Sequence, residues 1–402
     1  MIRKPLFLMV LLLSIVCLSG CWDRKELQDI DIVSAIGIDA GGDDAENRYL
    51  VTVQVINEGL VAGGSQKGGM TNTSPVTIFS AKGSTVAEAL RKIAPKLPQE
   101  LFFPHVQLMV LGQELVQEKG IKDLFDWIER DSQFRTLFPI LIVKDHTARD
   151  VLKIMTSLEP IPSAKIVGGL ESTQKMWGEF ASTRADKVIQ QIGGEVTHIA
   201  GVQITGDSEK GNKLTNVQQI APDAELEIKG LAIIKEGKLV KWLDGDAARG
   251  VTWINNELKK TVLNLDCKGK DLGIAIDVLR SKSNITAEIK KGKPIIHIAI
   301  RAEGHISEVH CPIALDKSET FYQLEEQMEQ EIKEEVLLAL KAARAEKSDI
   351  FHFDETLNRK DPKLWKEIKG KWNDEIFPET EIDVKVKGFI RRSGLRTKPY
   401  IK

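Results

Sequence analysis

Imidazole, carboxylate and thiol crowd together at His305, Glu308, His310 and Cys311, the residue types that hold zinc. On an extended strand His305 and His310 point to opposite faces, so they meet at one metal only if the chain bends, as Gly304 would allow. Exposed polar residues at a strand end are the expectation, with no metal. Ser172-Thr173-Gln174-Lys175 has the SxxK spacing of a serine acyl-transferase, yet the SDN and KTG partners of that chemistry are missing. His352-Phe353-Asp354-Glu355 sets an imidazole beside carboxylates in a turn between two helical patterns, without a nucleophile close by, and a capping or surface role is expected. The glycines from Gly64 to Gly69 lead into Met70 rather than Lys-Ser. With no GxGxxG, GxSxG or HExxH either, phosphate cradling and zinc or serine hydrolysis have no support. No catalytic residue, metal or dissociable cofactor is assigned.

The residue with the clearest chemistry is Cys21. Arg3 and Lys4 precede an apolar run from Leu6 to Leu18 broken only by Ser14, followed by Ser19, Gly20 and Cys21. This is the layout of an export signal, and the run is too short for the ~20 residues that cross a bilayer as a helix. Leu18-Ser19-Gly20-Cys21 has the form of a bacterial lipobox, in which the thiol takes a diacylglyceryl group and the new N-terminus an acyl chain. Lipid on Cys21 would hold a water-soluble body at a membrane stably, because two chains or more are needed for that. The alternative is an ordinary secretory signal with an incidental cysteine. Residues 1–20 are then the signal peptide.

After the signal, Cys267 and Cys311 are the remaining thiols, too few for a disulfide framework. Two buried thiols are expected, with a single bridge as the alternative. The chain has 402 residues, 42% hydrophobic and 28% charged, with 56 basic against 58 acidic side chains. That mass suffices for more than one core, and the near balance of charge gives no field for nucleic acid.

The elements that must position these residues change rhythm along the chain. Ile32–Ile38, Tyr49–Ile56 and Val76–Ser80 read as strands. Thr85 with Glu88 forms a capping box ahead of a helix, and Thr147 with Asp150 another. Strands at His105–Leu111 and Leu137–Val143 enclose a helix around Leu124 and Ile128. Glu159-Pro160-Ile161-Pro162 stops the helix before it, and a further helix carries Trp177, Phe180, Val188 and Ile192 on one face up to Gly193-Gly194. This makes residues 21–200 an N-terminal α/β region, divisible near 157–165. Residues 201–225, rich in Gly, Asp, Lys and Asn between Thr205 and Asn216, read as a linker or hairpin tip. Short strands with tight turns at Glu236-Gly237 and Lys291-Gly292 follow, at Leu226–Ile234, Lys238–Trp242, Thr261–Leu265, Leu272–Leu279, Asn284–Ile289 and Ile295–Arg301. A single apolar stripe from Phe321 to Ala343 marks a helix of about thirty residues, Asp361-Pro362 starts another, and Ile382, Val384 and Val386 alternate as a last strand. Residues 226–392 are thus expected to be an antiparallel sheet on one long helix, and 393–402 a basic tail. The fold class is α+β, mixed α/β, in three domains.

Cys21-Trp22-Asp23-Arg24-Lys25-Glu26-Leu27 followed by Ile32–Asp39 resembles the start of the mature C-subunit lipoproteins of spore germinant receptors, the Ger(x)C family. The likeness continues through Gly83–Leu90, Phe103-Pro104-His105, Asp131–Arg135, Gly230–Gly250, Ser348–Phe351 and Pro362–Trp372, and departs at His352 and Asp354, where related sequences commonly carry glycine. It implies a lipid-anchored, non-catalytic subunit on the outer face of the spore inner membrane. Its implied partners are integral-membrane A-type and transporter-like B-type subunits, with nutrient-triggered germination as the outcome. A solute-binding lipoprotein feeding a transporter is the competing class, disfavoured because such binders carry parallel βαβ units in both lobes. A surface-anchored hydrolase, the third class, lacks every nucleophile and metal pattern.

Overall fold

Strands with no polar alternation must be covered on both faces, and the runs Leu108–Gly112 and Ile140–Lys144 are of this kind. In the computed structural model, which describes residues 29–57, 74–131, 133–192, 196–267 and 270–391, they lie in the middle of a nine-stranded sheet. Its strands are β1 (Ile30–Ala40), β2 (Tyr49–Ile56), β3 (Val76–Gly83), β4 (Glu100–Phe102), β5 (Leu108–Gly112), β6 (Ile140–Lys144), β7 (Val196–Gly206), β8 (Ala224–Lys235) and β9 (Lys238–Leu243). The order is β3-β2-β1-β5-β6-β7-β8-β9, with β4 on β1. The steps from β1 through β5 and β6 to β7 are parallel, and the flanks are antiparallel.

The sheet separates two cores. Met109, Leu111, Ile140 and Ile142 face helices α1 (Val86–Ile93), α2 (Gln113–Glu118) and α3 (Lys122–Arg130). Leu108, Val110, Leu141 and Val143 face α4 (Ala148–Lys153) and α5 (Pro162–Met176), in a core that continues into the C-terminal half. The capping box expected at Thr147 and Asp150 is complete. At α1, Thr85 Oγ1 accepts from Glu88 N, but the Glu88 carboxylate turns to Ser84 N and Oγ, each at 2.7 Å.

Two expectations are corrected here and a third is narrowed. The helix expected to carry Trp177 through Ile192 is two: α5 ends at Met176, an irregular stretch buries Phe180, and α6 (Ala185–Ile192) begins afresh. Gly178, with φ +73, marks the break. Of the two readings of residues 201–225, linker or hairpin tip, the hairpin tip is the one found, because β7 pairs with β8 from Val196↔Lys235 to Gly206↔Ala224. Residues 207–223 form the tip of that hairpin, and its Asn216 is buried, donating to Met155 O and Ala224 O. β8 and β9, placed by their turn chemistry with the C-terminal sheet, therefore complete the first sheet.

The second sheet runs β10 (Thr261–Cys267), β11 (Lys270–Lys290), β12 (Lys293–Val309), β13 (Glu381–Ile390). The short strands expected between Leu272 and Arg301 merge into the long β11 and β12, bent at bulges beside Ala275 and Val278. β13 is parallel to β12, so the sheet is mixed. A parallel return needs a crossover, and α8 (Ser318–Ala345), α9 (Phe353–Lys360) and α10 (Pro362–Ile368) supply it, with α7 (Gly245–Ile254), from before β10, packed on α8. Leu324, Met328, Ile332, Val336, Ala339, Leu340 and Ala343 of α8 are buried, as the stripe requires. Asp361 caps α10, accepting from Lys363 N and Leu364 N. Cys267 and Cys311 form a disulfide, against the expected free thiols. The bridge forms because β12 brings the chain back along β11 to the end of β10, a pairing of strand ends that spacing alone does not disclose.

Candidate functional site

Two buried polar clusters, the first within the C-terminal half and the second between the halves, differ in kind. In the first, Arg249 of α7 reaches Glu335 of α8 through Nε at 2.8 Å and through Nη2, while Trp253 Nε1 donates to the same carboxylate at 2.8 Å. The helices approach so closely that a Cβ on Gly250 would sit 2.1 Å from the Glu335 carbonyl oxygen. Every buried charge here has its partner, which is the condition for keeping such a group in a core.

The second junction surrounds a cavity of about 570 Å³. β7 supplies His198 and α6 supplies Gln191; the turn after α7 supplies Asn255 and Glu257, β11 supplies Ser283, and the segment entering α9 supplies Asp349, His352 and Asp354. The turns put them there: Asn256 has φ +59 and His352 φ +58, the left-handed region that glycine and asparagine favour. The turn holds this conformation with histidine at 352.

Burial sets the electrostatics. Asp349 is enclosed, and its carboxylate accepts from Trp372 Nε1 at 2.8 Å, Asp354 N at 3.0 Å and Phe351 N at 3.3 Å. Loss of water, and next the neighbouring Asp354, raise it to about 7. His352 is lowered to about 4, by burial first and then by His198. Its Nε2 lies 2.8 Å from Gln191 Nε2, so the amide donates to a neutral ring. Gln191 Oε1 in turn accepts from Thr197 Oγ1. Burial likewise raises Asp354.

Five buried polar atoms on this cavity have no hydrogen-bond partner among the described residues: His198 Nδ1, Asn255 Oδ1, Glu257 Oε2, Ser283 Oγ and Asp354 Oδ1. His198 Nε2 lies 3.7 Å from Glu257 Oε2, beyond hydrogen-bond reach, so Nδ1 is free to donate or to accept according to the ring's tautomer. The exposed Lys187, Asn284, Glu355 and Arg359 stand at the mouth.

The residues singled out from sequence are scattered by comparison. Cys21, the signal, the 64–69 glycines and the 393–402 tail lie outside the described residues. His305 faces Asp277 at 3.5 Å, His310 faces Glu308, and Cys311 is in the disulfide. No group of three or more metal-capable side chains occurs among the described residues. Ser172 is exposed, and Lys175 pairs with Glu171 at 3.0 Å. The capping or surface role expected of His352 is corrected, since its ring turns inward to Gln191 and makes no cap bond. Sequence reasoning missed His198, Asn255, Glu257, Ser283 and Asp349. One signal was available: Thr197-His198 interrupts the otherwise non-polar, buried run Val196–Val202.

Comparison with known proteins places both halves. Residues 23–202 match the family model described as spore germination protein N-terminal domain, and residues 229–394 match spore germination B3/GerAC like, C-terminal. The chain is 34% identical to spore germination protein KC of Bacillus subtilis (strain 168), over 99% of this chain and 98% of that one. Spore germination protein YndF of the same organism is 27% identical over 98% and 97%, and spore germination protein B3 is 24% identical over 92% and 93%. The crystal structure of the GerBC protein superposes with a TM-score of 0.55 at 20% identity, covering 92% of this chain and 99% of that one.

Proposed function

The chain belongs to the spore germination B3/GerAC-like family, and from that premise we propose that it is the C subunit of a nutrient germinant receptor, held by lipid on Cys21 at the outer face of the spore inner membrane. The observation that carries this reading is the end-to-end match to spore germination protein KC, which spans both halves and leaves no further domain of that relative unaccounted for. The lipobox at Leu18–Cys21 supports the anchor. No helix among the described residues is long and apolar enough to cross a membrane, so a covalent lipid is the means of attachment the sequence offers. The subunit works by contact with A-type and transporter-like B-type membrane subunits rather than by catalysis; the family and the relatives named above are described by germination and by no reaction.

The test is Cys21→Ala in sporulating cells fed labelled palmitate, followed by gentle membrane solubilisation. The expected result is loss of label and release of a folded chain from the membrane, with the unaltered protein recovering A- and B-type subunits. Label and membrane retention persisting in the variant when the partner subunits are deleted would overturn the lipid anchor. Purification of the unaltered chain free of both subunits would overturn the receptor assignment.

A further inference from the structure

Buried polar atoms are nearly always paired, because an unmet donor or acceptor loses its water and gains nothing in return. Ten such atoms are unpaired among the described residues, and five of them line the one cavity between β7, β11 and the segment entering α9. A concentration of this kind marks a place built to meet something polar.

The chemistry of the five defines what. Asn255 Oδ1 accepts, Glu257 Oε2 and Asp354 Oδ1 accept when ionised, and His198 Nδ1 and Ser283 Oγ do either. None of them is an obligate donor. His198 is 3% exposed, so it has no access to bulk water as a substitute. Glu257, Asp354 and Glu355 outnumber Lys187 and Arg359 on the walls, which gives the cavity a bias toward positive charge. A primary ammonium group supplies three donors and one positive charge in a small volume.

We propose that this cavity binds a small solute bearing a primary ammonium group, with Glu257, Asp354, Asn255 and His198 accepting its hydrogen bonds. Lys187 and Arg359, at the mouth, would face whatever polar end such a solute leaves outward. Because the cavity takes walls from both sheets, the solute would touch both halves of the molecule at once. The inference does not draw on the receptor reading, so a negative result at Cys21 leaves it standing.

The experiment is a ligand-observed NMR titration of the full-length chain in detergent micelles with three probes of matched length: 5-amino-1-pentanol, 1,5-pentanediol and pentanoate. The amine is expected to bind saturably in the millimolar range, the diol at least tenfold more weakly, and the carboxylate not at all. Glu257→Gln and Asp354→Asn, checked for folding by circular dichroism, should each weaken the amine at least tenfold. The proposal is overturned if the amine shows no saturable binding at tens of millimolar, as a cavity filled by water alone would give. It is equally overturned if diol or pentanoate binds as well as the amine, or if both folded variants keep the original affinity. Should a variant fail to fold, the three-probe comparison on the unaltered chain decides.

Discussion

The Arg249–Glu335 junction, between two helices of the C-terminal half, and the His198–Asp354 cavity, between the two sheets, handle burial in opposite ways. At the first, each polar atom that loses water gains a protein partner, and the helices close until Gly250 touches the backbone of α8. At the second, the same loss of water is left uncompensated on five atoms. Fully paired polar groups lock an interface, and partly paired ones hold it open for something else. The contrast therefore separates what fastens α7 to α8 from what the two sheets enclose.

The largest effect should come from breaking the paired junction. Glu335→Ala leaves Arg249 charged in the core and Trp253 Nε1 without an acceptor, and removing one member of a buried pair costs about 3–5 kcal/mol. Urea denaturation should show that loss. A change below about 1 kcal/mol would mean that the junction is as loosely paired as the cavity, and the comparison would fall.

A pH experiment probes the cavity side. Asp349, raised to about 7, keeps its proton after an unfolded aspartate has lost it, so its contribution is complete below about pH 4 and is lost as pH rises through 7. His352, lowered to about 4, stays neutral while an unfolded imidazole protonates near 6.5, so its contribution is complete above about 6.5 and is lost as pH falls through 4. Between pH 4 and 6.5 the two slopes oppose, at about 1.4 kcal/mol per pH unit each, and stability should be nearly flat. His352→Asn, suited to the left-handed backbone, exposes the Asp349 slope, and stability should fall by roughly 2–3 kcal/mol as pH rises across that window. Asp349→Asn should give the opposite slope. Denaturation midpoints at half-unit steps would reveal both, and two flat profiles would show that neither group is held as its surroundings require.

The two junctions were unequally legible in the sequence. The α8 stripe, the turn at Lys291-Gly292 and the Asp361 cap follow from local periodicity and turn chemistry, which the chain states outright. Membership of β8 and β9 in the first sheet does not, because a tight turn fixes a hairpin but says nothing of which sheet receives it; the long register with β7 decides. The parallel entry of β13 and the Cys267–Cys311 bridge depend on the same long-range return of the chain. Cavity residues from Gln191 to Asp354 come from separate elements and share no spacing, so no motif search could collect them. His352 was noticed and misjudged: a turn between helices is normally at the surface, and here Gln191 of α6 meets its ring.

The smallest effect is the sharpest test of the contrast, because it sets two hydroxyls of similar burial against each other. Thr252 Oγ1 donates to Gly178 O and is also within reach of Arg249 O, at 2.5 and 2.8 Å beside the paired junction. Thr252→Val keeps the shape and strands those carbonyls, which should cost about 1–3 kcal/mol. Ser283 Oγ, on the cavity, has no partner to lose. Ser283→Ala removes an unmet polar atom along with its desolvation penalty, so stability should stay within about 0.5 kcal/mol or rise slightly. Thermal melts of the two variants side by side give the comparison directly. Equal losses would show that Ser283 is bonded after all, and the cavity would then be one more satisfied interface rather than a site.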